Sequence, residues 1–180
     1  ERRARRGEDE FLHSRLQHGV QEVQRSGAVV EVIFQRVGDG FPDVAVSGEV
    51  HDHLDLLGAQ DAGDGALIAG FVIRGQAALT VLIRAIGPAL RPLGVTDALP
   101  ATRLALVRDG ETRFSNLRWA TAANALDLRE AARQTGAFAL VPGSADSALL
   151  VTLPPGGYTA VVDSPTGAGG VALVEVYEVR

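Results

Sequence analysis

From residue 65 onward the chain is a series of strand-length apolar runs separated by Gly, Pro, Asp and Ser, and this pattern most constrains the fold. The runs are ALIAGFVIRG, ALTVLIRAIG, RLALVRDGETRFSN, ALLVTL, YTAVVD and VALVEVYEV, and the third is split by Asp-Gly. Short strands with turn signals between them are typical of β-sandwiches and barrels. We therefore predict an all-β fold, an antiparallel β-sandwich or jelly-roll-like barrel, with some seven strands here.

The punctuation between the runs predicts turns. Gly75-Gln76 and Asp109-Gly110 each predict a hairpin between the strands that they separate. In Pro154-Pro155-Gly156-Gly157 the prolines cannot donate ladder hydrogen bonds and the glycines permit positive φ. We interpret this stretch, and residues 163–170, as turns rather than as sites.

One short helix interrupts the strands, and the first third of the chain has a different texture. TAANALDLREAARQTG predicts a helix with Thr121 as N-cap and a stop at Gly136. Before it, FLHSRLQHGVQEVQRSG predicts a helix ending at Gly27, and AVVEVIFQRV predicts a strand. FPDVAVSGEVHDHLDLL predicts another short strand followed by an ambiguous tail. These supply little core. We predict that residues 1–60 are a poorly specified α/β or disordered segment and residues 61–180 the sandwich module, with a linker at 58–66.

Composition excludes several classes of function. The chain has no cysteine, which excludes disulfides, Cys-ligated zinc and thiol catalysis. Its formal net charge of −5 argues against a nucleic-acid partner, because phosphate binding requires a clustered basic surface. The longest nearly uncharged apolar run, residues 65–73, is far shorter than the roughly 20 residues of a membrane span. We therefore expect no membrane span.

The motifs ALIAGFVIRG, TVLIRAIGPAL, SNLRW, GAFALVPGSADSALLVTLPPGGYTAVV and GVALVEVYEV together carry a resemblance. Over roughly residues 65–179 the chain resembles the C-terminal β-sandwich modules of large secreted or surface bacterial proteins, with a pre-peptidase C-terminal-like outline. The resemblance implies a non-catalytic appendage at an extracellular or cell-surface location. It also implies neighbouring domains of a parent protein, and surface glycans, as partners. Such modules often have an acidic SNDxW-like turn, whereas this chain has Leu117 and Arg118, which argues against a calcium role there.

Residues 1 to about 60 lie outside this resemblance. They are rich in Arg, Val, Asp and His and contain no Lys, a texture that resembles translation of the wrong strand or frame in GC-rich DNA. One hypothesis is therefore that this segment is mistranslated. Its opening charge run, ERRARRGEDE, is interpreted as a solvated or disordered end.

The segment EVHDHLD contains the one group of side chains in the sequence that could act as metal ligands. His51 and His53 would share one face of a strand, and with Asp55 they offer the imidazole and carboxylate ligands that suit zinc. The alternative is a polar, solvent-facing segment. Ser144 and Ser147 do not form a GxSxG motif, and the second half has no His to act as their base. A metal-dependent enzyme would therefore have to use the His51/His53 cluster.

Two aromatic residues are candidates for stacking on sugar rings. Tyr177 shares a strand face with Glu175 that we expect to meet solvent, whereas Trp119 either stacks on a ligand or plugs one end of the core. Scattered aspartates could bind calcium, although Asp is also the ordinary turn residue. We expect a non-catalytic extracellular module with a structural, attachment or adhesion role. The alternatives are a carbohydrate- or calcium-binding module and, third, the metal-dependent enzyme.

Overall fold

The computed structural model describes residues 65–180 in full and, before them, the backbone of three strands at 30–37, 45–48 and 54–61. The strands are β1 (Val30–Val37), β2 (Ala45–Gly48), β3 (Leu54–Asp61), β4 (Leu67–Ile73), β5 (Leu79–Ile86), β6 (Arg103–Arg108), β7 (Glu111–Asn116), β8 (Ser147–Leu153), β9 (Gly156–Asp163) and β10 (Gly170–Glu178). Helix α1 (Ala125–Gln134) and two 3₁₀ helices (Pro88–Leu93 and Trp119–Thr121) complete the described elements. None of the described helices is long and apolar enough to cross a membrane.

The strands form two five-stranded antiparallel sheets. Sheet A has the order β2-β1-β10-β5-β8, and sheet B has the order β3-β4-β9-β6-β7. Seven of the ten strands lie in residues 65–180, and one short α-helix accompanies them there. The predicted all-β antiparallel sandwich with one short helix is therefore confirmed.

The three strands before residue 62 extend both sheets. β1 pairs with β10, and β3 pairs with β4, so the hydrogen-bonded ladders run across the predicted boundary at residue 60. The predicted strands of this region correspond to β1 and β2, whereas residues 58–61 of the predicted linker lie in β3. The helix predicted to end at Gly27 lies outside the described residues.

The chain changes sheets at most of its turns. β4 pairs only with β3 and β9, and β5 only with β10 and β8, so the hairpin predicted at Gly75-Gln76 is wrong. Both strands are apolar on the sides that face each other across the core, and placing them in opposite sheets buries both sides. The hairpin at Asp109-Gly110 is confirmed, because β6 pairs with β7 and both turn residues have positive φ, 54° and 78°.

Two apolar clusters hold the layers together. The inner cluster lies between the sheets and includes Phe71, Ile83 and Val174. The outer cluster lies between the other face of sheet A and the covering segments that contain α1. It comprises Leu82, Ile86, Ala89, Leu90, Val95, Ala98, Trp119, Leu128, Ala131, Ala132, Ala137, Leu140, Ala148, Val171, Leu173 and Tyr177. β10 is buried along its whole length as a result.

Helix α1 is shorter than predicted. It begins at Ala125, its N-cap Asn124 makes no side-chain capping bond, and Thr121 instead donates its hydroxyl to the Arg118 carbonyl. Beyond its end, Gly136 has a φ of 74°, the left-handed conformation that terminates many helices. Its buried residues, led by Leu128, face sheet A.

Candidate functional site

The predicted metal ligands fall largely outside the described residues. His51 and His53 belong to that undescribed part, and of Asp55 only the backbone is described, in β3 opposite Val72. Among the described residues, no group of three or more His, Cys, Asp or Glu side chains could hold a metal ion. The His51–His53–Asp55 site therefore stays a prediction.

Trp119 is part of the outer cluster. Its side chain is 3 % exposed, and the indole Nε1 donates to the Val141 carbonyl at 3.1 Å, with the Ser144 hydroxyl at 3.3 Å. An aromatic ring must offer a free face to stack on a sugar, and a buried ring does not. The structure thus contradicts the stacking role and supports the alternative that Trp119 fills one end of the core.

Tyr177 is also buried, with no exposed surface. Its hydroxyl donates to Glu175 Oε1 at 2.7 Å, and Glu175 itself is 4 % exposed. Burial raises the pKa of the Tyr177 phenol well above its usual range, and the neighbouring Glu175 carboxylate raises it further. The expected solvent-facing side of β10, and with it ligand stacking by Tyr177, is a wrong prediction because α1 and its flanking segments cover that face.

A buried ion pair lies beside Tyr177. Arg84 of β5 stands directly opposite Glu175 of β10, with Nε and Oε2 3.3 Å apart. The Phe138 ring covers the guanidinium at 4.3 Å, which adds a cation–π contact. The Arg84 nitrogens and Glu175 Oε2 nevertheless have no hydrogen-bond partner among the described residues, so the 3.3 Å approach is an ion pair without hydrogen-bond geometry.

Asp146 organises the turn that follows β5. It is fully buried, and its Oδ1 accepts the backbone N–H of Gly87 at 2.8 Å and of Ala89 at 3.4 Å. Next to it, Ser147 donates its hydroxyl to the Thr102 carbonyl, and Thr102 donates its own to the Ala85 carbonyl. Ser147 is therefore a buried structural residue with no exposed hydroxyl.

Only the first half of the Pro-Pro-Gly-Gly stretch is a turn, because Pro154 and Pro155 link β8 to β9 and the two glycines already belong to β9. Tyr158, 4 % exposed, donates its hydroxyl to the Pro154 carbonyl at 2.6 Å and accepts a 2.7 Å bond from Arg108. The Tyr158 ring also stacks on Phe71, with centroids 5.5 Å apart. Gly156 has a φ of 146°, and a Cβ there would lie 2.9 Å from an Arg108 nitrogen. This network occupies the polar groups of the turn with structural contacts.

One open groove lies at the end of the sandwich. It has a volume of about 460 Å³ and is lined by Arg91, Asp97, Ala98, Pro100 and residues 168–170. Arg91 donates to the Ala98 carbonyl at 3.3 Å. The groove has one acidic and one basic side chain, and its other side chains are small, so its lining does not identify a ligand.

We did not identify Arg84, Asp146 and Glu175 as buried polar residues from the sequence. Two of them left a signal, since Arg84 is a lone charge within TVLIRAIG and Glu175 stands inside the equally apolar VALVEVYEV. A charge within a strand that reads as buried indicates a buried pair. Asp146 left no such signal, because PGSADSA has the composition of an ordinary turn.

No protein-family model matches the chain, and no curated protein matches it. Among solved structures, the pre-peptidase C-terminal domain of a collagenase from Bacillus anthracis is similar, with a TM-score of 0.39 and 11 % sequence identity. The match covers 81 % of this chain and 86 % of that chain. It is the same kind of domain as the resemblance drawn from the sequence, and at this identity and TM-score it assigns no function to the chain.

Proposed function

We propose that the chain is a non-catalytic β-sandwich module with a structural or attachment role in a larger extracellular protein. Its partners would be the neighbouring domains of that protein and, for attachment, surface material such as glycans. The extracellular location is supported by the sequence resemblance stated above.

This proposal rests on the contacts that buried hydroxyl and carboxylate groups make within the fold. The hydroxyls of Ser147, Tyr158 and Tyr177 each bond to another part of the fold, and Asp146 binds two backbone N–H groups of the following turn. A catalytic site instead needs a nucleophile or base that is directed towards substrate within a cleft. These four residues connect strands and turns, which is what a structural module requires.

Attachment can be tested with a reporter fusion. The full 180-residue chain is joined to a secreted reporter enzyme, and reporter activity is measured in the cell-wall fraction and in the medium. We expect a larger cell-bound fraction than for the reporter alone, with kcat/KM unchanged. Equal partition of the two proteins would contradict an attachment role.

A folding-defective control shows whether the sandwich itself is required. In Gly170→Val a Cβ would lie 2.6 Å from the Asp97 carbonyl oxygen, at a φ of 156°. This fusion should partition like the reporter alone. If it binds cells as well as the wild-type fusion, binding comes from elsewhere in the chain, and the attachment role of the sandwich is wrong.

A calcium-binding module would behave differently. An ion that binds only the native state stabilises it, by about 2.7 kcal/mol at a hundred times Kd. We expect the Tm of the purified chain to be the same in calcium and in EDTA, because the described carboxylates form no group of ligands. A Tm that rises with calcium concentration would favour the ligand-binding alternative.

A further inference from the structure

Among the described residues, nothing satisfies the hydrogen-bonding groups of Arg84. It is fully buried on the face of β5 that also carries Leu82 and Ile86 of the outer cluster. The guanidinium has five N–H donors, and none of its three nitrogens has a hydrogen-bond partner among the described residues. Buried N–H groups of this kind are almost always paired with protein or with ordered solvent.

Arg84 also acts on the Tyr177 phenol, whose pKa its charge lowers against the larger effect of burial. Its contacts with Phe138 and Glu175 act on its charge and supply no hydrogen bond to its donors. Phe138 covers the guanidinium from a centroid distance of 4.3 Å, and an aromatic face meets the plane of the group, not the N–H bonds at its rim. Glu175 Oε2 lies 3.3 Å from Nε and is itself unpaired, while Oε1 of the same carboxylate accepts the Tyr177 hydroxyl. Donors and an acceptor thus remain unpaired side by side.

A second unpaired acceptor belongs to Asp146, just before β8, the strand on the other side of Arg84. The direct neighbour of Arg84 on β8 is Ala148, which is 1 % exposed and whose side chain is a single methyl group. Two residues earlier, Asp146 directs Oδ1 to the N–H of Ala89, a member of the same outer cluster. Asp146 Oδ2 is buried and has no partner among the described residues.

The charges of Arg84, Glu175 and Asp146 select the chemistry of what can bind between them. An added anion would meet the carboxylates of Glu175 and Asp146, and an added cation would meet Arg84. A small neutral molecule that accepts from the guanidinium and donates to a carboxylate fits both. We propose that Arg84, Glu175 and Asp146 form an internal water-binding site between sheet A and the segments that cover it.

The direct test is a high-resolution crystal structure of the full chain. The expected result is a density peak about 2.7–3.2 Å from a terminal nitrogen of Arg84 and within the same range of Glu175 Oε2 or Asp146 Oδ2. If the density shows the Arg84 donors paired directly with protein oxygens and no such peak, the proposal is wrong.

Two substitutions of Ala148 give an independent readout, because a water-filled site and a dry cavity order them differently. In Ala148→Ser the hydroxyl can donate and accept in place of the water, so the folding constant should change by less than about threefold. In Ala148→Val the larger side chain displaces the water without replacing its hydrogen bonds, and the folding constant should fall at least about tenfold. A dry cavity would reverse the order, because Val would fill it and Ser would add an unpaired hydroxyl. A close-packed site without a cavity would also penalise Val, and the absence of the density peak identifies that case and overturns the proposal. If Ala148→Val does not fold, the wild-type density and Ala148→Ser still decide the question.

Discussion

Removal of Arg84 alone should lower the free energy of unfolding far more than removal of Arg84 together with Glu175. In Arg84→Met the Glu175 carboxylate stays buried, at 4 % exposure, without its counter-charge. Breaking a buried pair in this way costs about 3–5 kcal/mol. Native domains are stable by about 5–15 kcal/mol in all, so the loss would be a large share of the total.

The double variant Arg84→Met/Glu175→Leu removes both charges. Replacement of a buried ion pair by apolar residues is neutral or stabilises by about 1–4 kcal/mol. The Tyr177 hydroxyl then loses its acceptor and stays buried, which costs about 1–3 kcal/mol. These effects nearly cancel, so we expect the free energy of unfolding of the double variant to lie within about 2 kcal/mol of that of the wild type.

Arg103 provides a matched control. It too stands opposite an acid on the neighbouring strand, Asp163, but its side chain is 52 % exposed. Exposed pairs contribute about 0–1 kcal/mol, so Arg103→Met should change little. Urea unfolding followed by Trp119 fluorescence and by far-ultraviolet circular dichroism measures all three variants. The reasoning is refuted if Arg84→Met costs no more than Arg103→Met, or if the double variant is as unstable as Arg84→Met.

Three further predictions follow from the described contacts. Gly170→Ala should lower the free energy of unfolding by at least about 2 kcal/mol, because its Cβ would lie 2.6 Å from the Asp97 carbonyl oxygen; Gly167→Ala, with a φ of 70° but nothing within 4 Å, should cost about 1 kcal/mol in the same urea experiment. Tyr158→Phe removes the two hydrogen bonds of the Pro-Pro turn and should cost about 1–3 kcal/mol, while an unchanged circular dichroism spectrum would show that the sheets remain. The raised pKa of Tyr177 means that its folded-state stabilisation is complete below the unfolded pKa of about 10 and is lost as pH rises beyond it. Phenolate absorbance, compared with Tyr177→Phe, should show no ionisation of Tyr177 before the chain unfolds, and ionisation in the folded chain near pH 10 would contradict the burial.

Local patterns predicted the elements better than their partners. Asp109-Gly110 joins two strands that pair directly with each other, so the turn residues alone are enough to predict that hairpin. Gly75-Gln76 has the same kind of signal, but its two strands belong to opposite sheets. Which sheet a strand joins depends on apolar sides that meet across the core, and turn composition carries no information about that.

Prediction of the candidate site from the sequence would have required even more information about distant parts of the chain. Alternation in β10 correctly separates Val174 and Val176 from Glu175 and Tyr177, since the first two belong to the inner cluster and Tyr177 to the outer. The mistake concerned what covers the second face. That cover includes α1 and the Phe138 segment, which come some forty residues earlier, and a periodicity within β10 cannot reveal it.

The place of β10 in sheet A also affects how the chain folds. β10 is the last of the ten described strands in sequence, yet it lies in the middle of its sheet, between β1 and β5. Sheet A cannot assemble until residues 170–178 have been synthesised, and until then β1 and β5 each carry an unpaired edge. Contacts between distant parts of a chain form slowly, and unpaired edges invite pairing with other chains. We therefore expect aggregation to compete with folding mainly during the interval before β10 is inserted, and a chain truncated before residue 170 to remain in that state.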